Sequence, residues 1–191
     1  MQGVETTPLT FFLVLGRKTP TKGYDLIVRT VAALRQQGGF PELVLIGPDE
    51  DGVTIDRPGV YPLGPQPREV VRGALSECLG LVTMSSSESF GIVICEAWLF
   101  GKPVIANRAC YSFRELVEHG ETGFLVDTKE ELEQAMKLLA TNPALGARMG
   151  RTGRAAALEG YTWGRVANEV YGNLVAAVDH RSKLKDYDVV Q

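Results

Sequence analysis

The sequence predicts an α/β fold built on one Rossmann-like, doubly wound parallel sheet of about six strands. Two observations lead there. Short apolar runs alternate with longer stretches of helical period, the pattern of βαβ units whose sheet is covered on both faces. The chain has 191 residues, 45% of them hydrophobic, enough for one sizeable core, and residues 1–191 read as a single domain with a polar tail at 179–191.

The strand candidates are TFFLVLG (10–16), ELVLIG (42–47), GVYPLG (59–64), LGLVTM (79–84), KPVIAN (102–107) and TGFLVD (122–127). Between them, Tyr24, Ile27, Val28, Val31 and Leu34 recur at helical spacing, as do Leu132, Ala135, Met136 and Leu139, so both stretches read as amphipathic helices. Val70, Val71, Ala74, Leu75 and Cys78 mark another. Thr128 and Glu131 form a capping box, and Asn142 followed by Pro143 gives an N-cap with proline at the first helical position. A last helix is expected from about Thr162 through Val178 on the stripe Trp163, Val166, Val170, Leu174 and Val178. Tyr161 and Trp163 are expected to anchor it in the core or to face another domain.

Composition narrows the function classes. A net charge of −3 with both signs scattered gives no electrostatic footprint for nucleic acid or an anionic membrane surface. Cys78, Cys95 and Cys110 sit in or beside apolar runs without metal-ligand spacing, and read as reduced core thiols of a cytoplasmic protein. LTFFLVLG near the start is too short to span a bilayer and lacks the basic flank and cleavage pattern of a leader.

Ligands of doubly wound sheets bind outside the carboxyl ends of the strands, where the strand order reverses. The loops after Leu15, Ile46, Met84 and Ala106 are therefore the places to look. The first is GRKTPTKG, which is neither a P-loop nor a dinucleotide fingerprint. It offers Arg17 at a strand end and Lys22 at the opening of a helix, where a cation opposes the helix dipole unless an anion sits between them. A solvated basic loop is the plain alternative, and the third loop tips the balance.

That loop opens SSSESFGIVICEA, residues 85–97. If Ser85 and Glu88 formed a capping box, Gly91 would fall inside the helix at a cost of about 1 kcal/mol relative to alanine. A start near Ser89 to Gly91 avoids this and leaves Glu88 in the loop. Gly91 would then let a ligand approach the amides of the first turn. Glu96, the one charge between Ile92 and Phe100, would lie two turns on, over the face of Ser89, reaching back toward the same ligand edge. Vicinal hydroxyls such as those of a ribose would satisfy it.

Other polar features read as structure. Asp49 and Asp51 in GPDEDG look like a surface turn rather than a metal pair, Ser112 and Glu115 like a capping box, and His119 like a solvated helix end. His180 lies near the tail, and no metal site is expected.

Arg17 and Lys22 in GRKTPTKG, the Glu88 and Glu96 pair, the following GKPVIA, and ELVEHGETGFLV occur in an order that resembles the donor-binding, C-terminal half of retaining GT-B glycosyltransferases of family 4. The likeness runs from about Phe11 to Ala177. It implies that Arg17 and Lys22 hold a donor diphosphate, and that the backbone of Ser89, Phe90, Gly91, Ile92 and Val93 meets phosphate and sugar. It implies that Glu96 binds ribose, that Glu88 touches the transferred sugar, and that Leu63 and Gly64 lie near the base. Arg17, Lys22 and Glu88 are then the residues expected to serve catalysis, without a metal or other cofactor.

The partner implied is a nucleotide-diphosphate sugar. The acceptor domain that precedes this half in such enzymes is absent from the sequence, and any membrane association would come through it. The isolated chain is accordingly expected to bind donor without efficient transfer. Two departures accompany the likeness: this missing half, and NRACYSFRE, where the family has a glycine-rich turn and this chain has Arg108, Cys110 and Tyr111. A GT-B-like epimerase and a noncatalytic nucleotide-binding module are the rival functions.

Overall fold

The computed structural model describes residues 10–187, with side chains as far as 178. Among these, the residues up to Ala155 form one compact unit and those from Ala156 a second. The first unit holds six parallel strands: β1 (Phe11–Leu15), β2 (Glu42–Ile46), β3 (Val60–Pro62), β4 (Leu81–Thr83), β5 (Val104–Asn107) and β6 (Gly123–Val126). They lie in the order β3-β2-β1-β4-β5-β6, so the order reverses between β1 and β4. All six fall inside the expected runs, and the fold is the expected Rossmann-like α/β sheet.

Helices α1 (Tyr24–Gln36), α2 (Arg68–Glu77), α3 (Ile92–Leu99), α4 (Tyr111–Leu116), α5 (Lys129–Thr141) and α6 (Pro143–Gly160) connect and follow the strands. Phe12 and Val14 of β1 pack with Ile27, Val31 and Leu34 of α1 and with Leu132, Met136 and Leu139 of α5, forming the main core. Strand side chains alternate, so Leu13, Leu81 and Val104 point to the opposite face, where α2 meets β1 and α3 meets β5. Burying one such leucine or valine contributes about 1.5–3 kcal/mol. Trp98 of α3 is fully buried and its indole N–H donates to the Thr122 carbonyl at 3.0 Å.

Two helix starts agree with expectation. The Thr128 hydroxyl accepts from the Glu131 N–H at 3.1 Å while the Glu131 carboxylate accepts from the Asp127 N–H at 2.7 Å, and Asn142 accepts from the Leu145 N–H at 3.0 Å. A third differs. Helix α4 begins at Tyr111 with Cys110 as N-cap and no side-chain cap, so Ser112 is already inside the helix and no box with Glu115 forms. On α2, Val70 is 43% exposed, and Leu75 and the following Cys78 supply the buried contacts.

In the second unit α7 runs Trp163–Tyr187, so the helix continues into the stretch expected to be a tail, and 188–191 lie outside the described residues. Its apolar stripe is not core: Trp163 is 89% exposed and Leu174 60%. A period of 3.6 specifies which residues share a face, not what covers it. The three cysteines are free and buried, and no helix among the described residues is long and apolar enough to cross a membrane.

Candidate functional site

The chain leaves β1 through Gly16 and Arg17, passes a short 3-10 turn at Pro20–Lys22, and enters α1 at Gly23. Gly23 is left-handed (φ 64°), and a Cβ on it would lie 2.3 Å from the Met84 carbonyl oxygen. Only glycine allows this approach of the β1–α1 turn to the end of β4. The loop after β4 then docks on the same turn, with Ser86 N–H donating to the Thr21 carbonyl at 3.0 Å and the Ser85 hydroxyl reaching it at 3.4 Å. Ser85 therefore caps nothing, and Glu88 is delivered to Lys22, whose Nζ lies 2.5 Å from its carboxylate.

Helix α3 starts at Ile92 with Gly91 as a left-handed N-cap (φ 100°), the later start expected. The glycine also has a packing reason. A Cβ at Gly91 would meet the Phe113 ring at 2.9 Å and Leu116 at 3.2 Å, so the missing side chain makes room for α4.

A cleft of about 320 Å³ is lined by Arg17, Lys22, Glu88, Ser89, Phe90, Gly91, Ile92, Val93 and Glu96, together with Val14, Leu15, Gly16 and Thr83. It lies where the ends of β1 and β4 adjoin, at the reversal of strand order. Every residue expected to meet phosphate, sugar or ribose is thus on one cleft. Burial raises the Glu96 carboxyl above the ordinary glutamate range, an effect opposed by the nearby Arg68 cation. Arg17 is exposed and reaches Glu50 at 3.3 Å. A neighbouring cavity of about 280 Å³ shares Val14, Gly16 and Arg17 and adds Pro62 and Gly64, whereas Leu63 lines neither and is 45% exposed.

The turn at 49–52 is more than a surface turn. Lys18 is buried, its Nζ bonding Asp51, Asp49 at 2.8 Å and the Val53 carbonyl at 2.7 Å, and the Tyr24 hydroxyl donates to Asp51 at 2.6 Å. The backbones of Lys18 and Asp49 also bridge in parallel. This cluster walls the second cavity and holds the backbone beside Arg17. Nothing local in GRKTPTKG separates Lys18 from Lys22; only the tertiary partners do.

Hydrogen bonds from Lys18 and from Tyr24 pull the Asp51 carboxyl down to about 2. A folded value below the unfolded one of about 3.9 gives stability present above that value and lost as pH falls toward 2. The thermal midpoint of the wild type should drop between about pH 4 and pH 2, and Asp51→Asn should flatten that drop. An unchanged profile in the variant would remove Asp51 as its source.

His119 is exposed just past the end of α4, as expected, and there its Nδ1 accepts the Leu125 N–H at 3.1 Å and its ring meets Phe124 edge-on. Arg108, in place of the glycine-rich turn, pairs with Asp127 at 2.8 Å, while Cys110 is buried and Tyr111 is exposed beside Arg114.

A parallel doubly wound sheet with two cations and two carboxylates gathered at its switch point defines a Rossmann-like domain with a candidate ligand cleft. The chain belongs to the glycosyl transferases group 1 family, whose profile matches residues 3–156. It is 31% identical over 197 residues to a D-inositol 3-phosphate glycosyltransferase of Salinispora tropica, covering 91% of this chain and 40% of that protein. A GDP-mannose-dependent alpha-(1-6)-phosphatidylinositol monomannoside mannosyltransferase of Mycolicibacterium smegmatis is 28% identical over 166 residues, 78% of this chain and 43% of the relative. The chain thus spans well under half the length of these relatives.

Among solved structures, Anabaena HepE in complex with UDP superposes with a TM-score of 0.75 at 24% identity, over 87% of this chain and 48% of that one. The C-terminal domain of a group 1 glycosyl transferase from Francisella tularensis gives 0.71 at 17% identity, over 81% of this chain and 87% of that one. The fold is that of one half of a GT-B glycosyltransferase.

Proposed function

We propose that the chain is the donor-binding part of a retaining, metal-independent glycosyltransferase, and that its cleft takes a nucleotide-diphosphate sugar. The observation that carries this is the convergence of Arg17, Lys22, Glu88 and Glu96 on one cleft at the switch point. Arg17 and Lys22 hold the diphosphate, the first turn of α3 presents its amides and dipole to it, and Glu96 receives the ribose hydroxyls. Glu88 meets the sugar, and the turn at Gly64, which lines the neighbouring cavity, borders the base.

Breaking the glycosyl-phosphate bond places negative charge on the leaving diphosphate. Fixed cations and helix amides stabilise that charge more in the transition state than in the ground state, and so lower the barrier. The clamp does the work a metal ion would do, and Glu88 and Glu96 are binding groups rather than a glycosidase acid and nucleophile. The acceptor is held by a separate domain, so the 191-residue chain alone binds donor without efficient transfer. Rapid transfer by this chain alone would refute that division.

Calorimetry against UDP, GDP and ADP tests the reading, and saturable binding of at least one is the expected result. Glu96→Ala should weaken that nucleotide about tenfold, as loss of a charge-assisted hydrogen bond does. The matching 2′-deoxynucleotide should be affected less. No binding to any of the three would sink the proposal.

A further inference from the structure

Lys22 and Glu88 are proposed to meet different parts of one ligand, Lys22 the diphosphate and Glu88 the sugar. Yet the two are each other's partner, at 2.5 Å, with side chains only 24% and 20% exposed. The pair is also built in rather than incidental. Gly23 and the hydrogen bonds from Ser85 and Ser86 to Thr21 hold the two loops together, which fixes both side chains at the same edge of the cleft. Any anion that binds the Lys22 ammonium must share it with Glu88 and lie close to that carboxylate.

We propose that Glu88 is a specificity-determining residue that makes the cleft favour an intact nucleotide-sugar over the nucleoside diphosphate left after transfer; this rests on the donor-binding reading. A bare diphosphate shares Lys22 with the Glu88 carboxylate and brings phosphate charge close to it, where both are partly shielded from water. This opposes binding, because like charges repel and the carboxylate's hold on its one cation is weakened. A nucleotide-sugar shares Lys22 equally but supplies hydroxyl donors for the same carboxylate. The cost is therefore offset for the donor and not for the spent nucleotide, and Glu88 hastens release of the latter.

The test compares wild type, Glu88→Gln and Glu88→Ser in the 191-residue chain, with UDP and UDP-glucose, and GDP and GDP-mannose, as probes. Removing the charge should tighten the bare diphosphate by about three- to tenfold, the range expected for a partly buried ion pair. It should leave the nucleotide-sugar unchanged or weaker, so the ratio of the two affinities falls. Thermal midpoints within a few degrees of wild type would show that both variants are folded. If wild type binds a diphosphate and neither folded variant binds it more tightly, the inference is overturned while donor binding stands. If wild type binds no probe, the donor-binding reading falls and takes the inference with it.

Discussion

Replacing Lys22 with methionine is expected to weaken nucleoside diphosphate binding by about 10- to 100-fold, the loss that follows when a charge-assisted hydrogen bond is removed. Methionine keeps the unbranched shape of the stem, so the 3-10 turn and Gly23 are left undisturbed. The cost falls on the site, where the phosphate loses its cation and Glu88 loses its partner at 2.5 Å. Titration calorimetry on the single variant reads the sum of both effects. Lys22→Met combined with Glu88→Gln separates them: it should restore stability lost through the orphaned carboxylate and leave the binding defect. Undiminished affinity in Lys22→Met would remove Lys22 from the phosphate clamp.

Gly23→Ala should be the more damaging change to the fold. At φ 64° an L-residue costs about 1–2 kcal/mol, and its Cβ would sit 2.3 Å from the Met84 carbonyl oxygen, a backbone atom that can yield only if β4 moves. Crowding of this kind adds about 1–3 kcal/mol. The sum, about 2–5 kcal/mol, is a large share of the stability of an ordinary domain. Because Gly23 is also what brings the Lys22 turn against the loop of Glu88, the variant should lose nucleotide affinity along with its thermal midpoint. A midpoint and affinity equal to wild type would mean that the turn relaxes freely and that the close approach is unimportant.

The strands were legible because a sheet covered on both faces makes apolar runs, and each run stands against polar neighbours. The helix starts were legible only in part. Thr128 with Glu131 and Ser112 with Glu115 share one spacing, but α4 begins a residue ahead of Ser112, so spacing nominates caps and tertiary packing decides among them. In the site, the cost of a mid-helix glycine correctly leaves Glu88 out of α3. The same reasoning does not foresee that Gly91 also makes room for Phe113, which comes from twenty-two residues away and leaves no local trace. Lys18 was missed for a like reason: its neighbours in sequence are as polar as it is, and its burial depends on Asp51 and Tyr24. The stripe from Trp163 to Val178 forms a helix, as its spacing predicts, and of the two expectations for Trp163 the core anchor fails, since that side chain is 89% exposed.

Arg17 and Lys18 are adjacent, and their environments are opposite, one side chain 61% exposed and the other 10%. The buried neighbour makes the loop carrying Arg17 and the segment at 48–53 one mechanical part. For anyone exchanging donor preference by loop grafting, that part is the unit of transplantation. Residues 17–22 moved into a related scaffold without their counterpart at 49–53 would arrive with Lys18 unpaired, and the graft would misplace Arg17 however well its own sequence matched.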